Sequence, residues 1–257
     1  AALTAITTME TSINNLGKAC CCIIPFLVIF LRGLTGVQAA ENSSIPRTAD
    51  GNPDFGGIWQ ALGSAHYNLE LHAADFPLLP VLGAVGAIPA GLGVVEGGAI
   101  PYTPAARAQQ QVNREDWLTL DPVVKCYMPS IPRANYMPFP FQIIQSSEHL
   151  LVAYEFASAS RIVYMNRPDF EAPVFSWMGH SRGHFKGDSL VIDVTDQVSD
   201  TWFDHSGNHH TDALRVIERY THTGPNVLMY EATLIDPNVY TSPWTIRLPP
   251  RYEYAVA

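Results

Sequence analysis

Leu214-Arg215-Val216-Ile217-Glu218-Arg219-Tyr220 is the stretch whose reading decides the fold. Side chains of an extended strand alternate between two faces. That places Leu214, Val216 and Tyr220 on one face, with Arg215 and Arg219 on the other. The apolar face also carries Glu218, and a carboxylate there suits a barrel or sandwich with a polar-lined interior. The strand runs from Ala213 to Tyr220 and pairs with Val227 to Ile235 across Thr223-Gly224-Pro225-Asn226.

Working outward, the same pattern recurs. Phe141 to Gln145, His149 to Phe156 and Arg161 to Met165 are short β-branched and aromatic runs separated by small polar residues. They predict an antiparallel meander. His184 to Asp193 predicts a hairpin turning near Lys186-Gly187-Asp188. Gly56 to Gln60 reads as a first strand and Trp244 to Leu248 as a last one. One helix is expected, opening at Thr103-Pro104 with a threonine cap and a proline in the first turn, and running to about residue 118. Cys126 to Phe141 carries Pro129, Pro132, Pro138 and Pro140 and reads as an irregular connection. There is no internal repeat and no alternation of strand with helix. The expected fold is therefore mainly β, an antiparallel barrel or sandwich, calycin-like in its broad outline, with one short helix and long Pro/Gly-rich loops.

Residues 77–101 are rich in Gly, Ala and Pro yet almost uncharged. Pro80, Pro89 and six glycines exclude a regular helix. The segment reads as a long loop packed over the core, or as a lid or contact surface for self-association.

The N-terminus has a different composition. Lys18 precedes the apolar run Ala19 to Leu31, followed by Arg32 and the small-residue pattern Val37-Gln38-Ala39-Ala40. That order is the signature of a cleavable secretory signal, and the run is short for a membrane span; an uncleaved anchor helix is the alternative. Residues 1–40 are thus read as upstream sequence plus signal, with Met9 as a start, and 41–257 as a single β-rich domain. A secreted or periplasmic location follows. Cleavage would remove three of the four cysteines and leave Cys126 alone. It would also leave thirteen basic and twenty-three acidic residues, a net charge of −10. Such a surface repels nucleic acid and anionic membranes. A chain with 47% hydrophobic and only 15% charged residues can form a packed core rather than remain disordered.

Polar chemistry concentrates between Gly179 and Asp212. Gly179-His180-Ser181-Arg182-Gly183-His184 lies ahead of Asp188, and Asp204-His205-Ser206-Gly207-Asn208-His209-His210-Thr211-Asp212 follows. An acid–base site needs a histidine oriented by a carboxylate, which points to His210 with Asp204 or Asp212, and to Arg182 as an anion holder. His184, Arg133, Glu218 and Tyr136 are candidate ligand-binding residues. The ligand types for a divalent metal are present, but their spacing specifies no site and no cofactor is identified. The same residue types also satisfy turn backbones. Residues 179–183 match Gly-x-Ser-x-Gly, but that motif needs a strand before it and a helix after it, so the match is read as chance. Trp59, Trp177, Trp202 and Trp244 are read as core or rim aromatics.

Several segments resemble a family of uncharacterised secreted bacterial proteins. They are Pro53 to Trp59, Gly93 to Tyr102, Asp121-Pro122 with Lys125-Cys126-Tyr127, and Pro132-Arg133 with Tyr136 to Ile143. Gly187 to Asp193, Gly207 to His210 with Ala213 to Tyr220, and Asp236-Pro237 with Pro243-Trp244 complete the set. The resemblance covers residue 53 onward and implies secretion; it brings no activity and no catalytic residues. Relatives often have Asp where His180 stands. Longer relatives carry a cysteine where this chain has Val256, so a bridge to Cys126 in those proteins would be missing here.

Three function classes fit these observations. They are a secreted domain binding a small or polymeric ligand between the 179–184 and 204–212 turns, an extracellular hydrolase or lyase using His210, and a structural subunit of a surface layer or fibre.

Overall fold

In the computed structural model residues 45–76 and 80–248 are described. The expected signal peptide and Val256 lie outside the described residues. The fold is a nine-stranded sheet curved into a half-barrel, its strands in chain order. They are β1 (Gly57–Trp59), β2 (Phe141–Gln145), β3 (His149–Tyr154), β4 (Ser160–Met165), β5 (His180–Lys186), β6 (Ser189–Thr195), β7 (Arg215–Gly224), β8 (Val227–Ile235) and β9 (Trp244–Leu248). Two helices accompany it, α1 (Pro104–Glu115) and α2 (Trp117–Leu120). The mainly β expectation is met. No helix among the described residues is long and apolar enough to cross a membrane.

The hairpins follow from the alternation. Val216, Glu218 and Tyr220 of β7 stand opposite Leu234, Ala232 and Tyr230 of β8, and all six are buried. Ile246 of β9 extends the row. In the β5–β6 hairpin Lys186 pairs with Ser189, leaving a two-residue turn whose Gly187 has φ +59°. Glycine adopts that conformation without steric cost.

One connection departs from the expected antiparallel order. β2, β3 and β4 do form an antiparallel meander, but β4 and β5 run parallel, with Val163 beside Ser181 and Met165 beside Gly183. A parallel pair needs a crossover rather than a tight turn, and residues 166–179 supply it. Strand spacing carries no information on direction, so the sequence did not announce this step.

Helix α1 forms where expected. Thr103 Oγ1 accepts a hydrogen bond from the Ala106 amide, and Pro104 occupies the first turn. The helix ends at Glu115, and α2 follows after Asp116. Segment 77–101 is described from residue 80. It makes a kinked 3-10 turn over Pro80–Gly86, then buries Val95 and Ile100 in the core while leaving Val81 and Leu92 exposed.

Glu218 occupies the concave face, as its position in the alternation implied. Arg161 of β4 donates to both of its carboxylate oxygens at 2.6 and 3.1 Å. Asn135 and the Tyr230 hydroxyl donate to Oε1 at 2.7 and 2.9 Å, and the Tyr220 hydroxyl lies at 3.2 Å. Glu218 and Arg161 are 0% and 4% exposed, so the pair is withdrawn from water. Removing one partner of such a pair leaves an uncompensated buried charge. Glu218→Ala should therefore lower unfolding stability by about 3–5 kcal/mol in urea titrations. The double change Glu218→Leu with Arg161→Met should recover most of that loss. A single variant within about 0.5 kcal/mol of the wild type, the level of a neutral surface change, would refute the assignment.

Candidate functional site

The 201–211 loop is held from several sides. Asp204 is fully buried, and its carboxylate accepts from the amides of Leu69, Ser206 and Asn208 and from the Asn208 side chain. The Tyr136 hydroxyl donates to the Phe203 carbonyl at 2.9 Å. From α1, Gln110 donates to the Ser206 carbonyl and Asn113 to that of Gly207. Gly207 has φ +80°, and a Cβ there would lie 2.6 Å from Asn113 Cβ and 2.7 Å from the Arg114 amide. Only glycine lets the helix come this close.

The loop presents His205. Its Nδ1 lies 2.8 Å from Asp121 Oδ2. Arg133 grips the same carboxylate with two bonds of 2.8 Å, and Arg133 and Asp121 are both 0% exposed. Burial alone would raise the Asp121 pKa, but the bonds from His205 and Arg133 outweigh it and hold the carboxyl down at about 2. An ionised Asp121 only accepts, so Nδ1 of His205 carries the hydrogen. The 3.1 Å approach of Arg133 to Nδ1 is then proximity within the triad, not a second donor bond. Burial, aided by the Arg133 charge, lowers the His205 pKa although Asp121 opposes it, which favours the neutral ring. Trp117 packs against that ring at 4.4 Å, and the His205 amide bonds to the His66 carbonyl.

His205 lines a cavity of about 200 Å³ with Tyr67, His72, Asp75, Arg114, Glu115 and Ser206 among its neighbours. Its Nε2 has no hydrogen-bond partner among the described residues. His72, on the same wall, has Nδ1 at 2.9 Å from the Glu70 carbonyl and Nε2 buried without a partner. Since a carbonyl only accepts, His72 Nδ1 is the donor. The uncommitted ring nitrogen that the cavity offers is therefore Nε2 of His205, while Nε2 of His72 is closed off from it. Among the described residues no three His, Cys, Asp or Glu side chains are placed to hold a metal ion.

The residues expected from sequence fall elsewhere. His210 is buried, with Nε2 at 2.7 Å from Thr201 Oγ1 and Nδ1 at 2.7 Å from the Thr211 carbonyl. Both its nitrogens are thereby committed, to neighbours other than Asp204 and Asp212. Asp204 shapes the loop, while Asp212 is exposed. Arg133, Glu218 and Tyr136 are enclosed in the protein's own hydrogen bonds. Arg182 and His184 line a different groove from the His205 cavity, so the two turns are not brought to one pocket. Ser181 sits inside β5 at 1% exposure, with neither the turn nor the helix that a nucleophile elbow requires. Cys126 is a free, exposed thiol. Neither Asp121 nor His205 was among the site residues expected from sequence, and nothing local in the sequence joins the two.

The buried histidines set the acid response. Burial lowers His66 to about 3, with His205, Arg133 and His72 adding repulsion, and burial lowers His210 to about 4 against the Thr211 carbonyl and Asp236. The unfolded chain takes up protons near pH 6.5 that these folded rings refuse, so stability is lost as pH falls from 6.5 toward 4. Asp204 acts oppositely. Burial raises it to about 6 despite its hydrogen bonds, so its contribution is full below 3.8 and lost as pH rises through 6. The histidines outnumber it. Stability should fall by at least about 1.4 kcal/mol per pH unit on acidification through this window, one net proton. In denaturant titrations at a series of pH values, His210→Gln should reduce the slope by about one proton; an unchanged slope would contradict the neutral buried ring.

Compared with models of protein families, with curated protein sequences and with solved structures, the chain matches none.

Proposed function

We propose that this chain is an extracellular hydrolase or lyase of small polar substrates, with His205 as its general base. The observation that carries the reading is the Asp121–His205 pair, which leaves a neutral ring's Nε2 uncommitted at a preformed cavity. The charged, apolar and small-residue order of residues 18–40 supports the extracellular part.

In this reading Nε2 removes a proton from a bound water or a substrate C–H or O–H. Asp121 then faces an imidazolium and stabilises it, while Arg133 keeps that carboxylate ionised and fixed. The proton returns from Nε2 to the leaving group, which restores the neutral ring. A cavity of about 200 Å³ admits only a small molecule.

The test is turnover of a panel of small esters, lactones and β-elimination substrates. His205→Ala should lower the rate by about 10²–10⁴-fold, the usual range for a general base, while thermal unfolding stays near wild type. Asp121→Asn should abolish the base's orientation, and nitrogen-15 NMR should show His205 losing its fixed Nδ1–H tautomer. Wild-type rates in His205→Ala would eliminate the proposal.

Self-association is a second reading, supported by one observation. Val81, Leu92 and Phe76 are 90%, 93% and 88% exposed. Such side chains are normally covered when they cluster. If they pack against another copy, Val81→Asp with Leu92→Asp should convert an oligomer to a monomer in size-exclusion chromatography with light scattering. A wild-type chain that is monomeric at high concentration would exclude this reading.

A further inference from the structure

On the outward face of β5, β6 and β7 lies a groove of about 540 Å³, separate in its lining from the His205 cavity. Arg167, Arg182 and Arg215 line it against a single carboxylate, Asp193. Its apolar lining includes Pro168, Val191 and Ile217. In a chain of net charge −9, three arginines in one groove form a local reversal of sign.

The groove is built in advance. The Asn166 amide bonds to the Gly183 carbonyl at 2.7 Å, which pins the turn bearing Arg167 to β5. The Arg167 guanidinium sits 4.9 Å from the centre of the Phe170 ring. Arg215 and Asp193 are joined by two bonds of 2.8 and 3.1 Å, so that pair is internally neutral. Arg182 is not neutralised to the same degree. Its Nη2 donates to Thr195 at 3.0 Å and reaches Asp193 only at 3.5 Å, and its Nε is buried without a partner. Its Nη1 makes no hydrogen bond among the described residues, and the side chain is 19% exposed, so an oxyanion in the groove would find a donor there.

We infer that this groove binds an amphiphilic carboxylate, its oxyanion held by Arg182 and Arg167 and its apolar body laid on Val191, Ile217 and Pro168. Two features select this chemistry. The arginine forks match a carboxylate's two oxygens. The apolar floor favours a ligand with a hydrocarbon portion over a bare inorganic anion.

The probe is benzoate, followed by amide shifts in NMR titration of the full chain, with benzamide as the uncharged isostere and inorganic phosphate as the bare anion. Benzoate should saturate at Gly183, His184 and Val191, and benzamide should bind about tenfold more weakly or worse, the size of one lost charge-assisted bond. Arg182→Gln should weaken benzoate by a similar factor. Arg167→Gln, a change on the exposed rim, should do the same if Arg182→Gln fails to fold. His205→Ala should bind benzoate as the wild type does, so failure of this inference and failure of the catalytic reading are distinguishable. Equal affinity for benzamide, or phosphate binding as tightly as benzoate, would overturn it. So would wild-type affinity in the arginine variants, or no saturation up to about 10 mM.

Discussion

Four consecutive residues, Arg133 to Tyr136, hold the structure together by sending polar side chains in three directions. They form one 3-10 turn, all of it buried. Arg133 locks Asp121, and through it the ring of His205. Asn135 enters the concave face, donates to Glu218 and Tyr230, and accepts from Tyr154. Tyr136 fixes the Phe203 carbonyl at the start of the loop that presents His205. The turn therefore couples the barrel interior to the candidate site. A shift of the turn would disturb both, because each end of the coupling is a buried polar group with a fixed partner.

The two regions that the turn connects treat their polar groups differently. In the interior, the carboxylate of Glu218 receives donors from Arg161, Asn135 and two tyrosines, and little capacity is left over. Such a network specifies packing. At the His205 cavity satisfaction stops halfway. His205 and His72 each have one nitrogen committed to a fixed acceptor while the other is left without a partner. His210, five positions along the same loop, has both nitrogens bonded and belongs with the interior in this respect. This difference in bonding, rather than residue type, separates the histidine able to exchange a proton with a ligand from the one that holds a loop.

The sequence made the strands legible because each buries one face, and burial writes period two into the residues. Glu218 was legible for the same reason, as the exception on an apolar face. Helix α1 announced itself through Thr103 and Pro104. The site was less legible. Asp204, His205, His209, His210 and Asp212 crowd one loop, and local spacing favours pairing among them. The carboxylate that His205 uses comes from 84 positions away and is brought there by the Arg133 turn. Arg133 offered no clue to which of many acids it would meet. Its partner follows only from the path of the whole chain, which a pattern of types and spacings does not contain.

The parallel step between β4 and β5 is the feature that alternation concealed most fully, and it also explains the outer groove. Had β5 followed β4 through a tight hairpin, Arg182 would stand on an open sheet face, in water. The crossover instead brings Asn166 to Gly183, Ser176 to Asp196 and Val198 to Ser176 by backbone hydrogen bonds. Those contacts place Arg167 and Pro168 at the edge of the outward face of β5. Arg182, with its side chain 19% exposed, thereby stands in a wall rather than on a surface, and a guanidinium in a wall is partly stripped of water. Desolvation strengthens its attraction for an anion and makes an unused N–H costly. A connection needed only to carry the chain back for a parallel strand thus becomes one side of the groove.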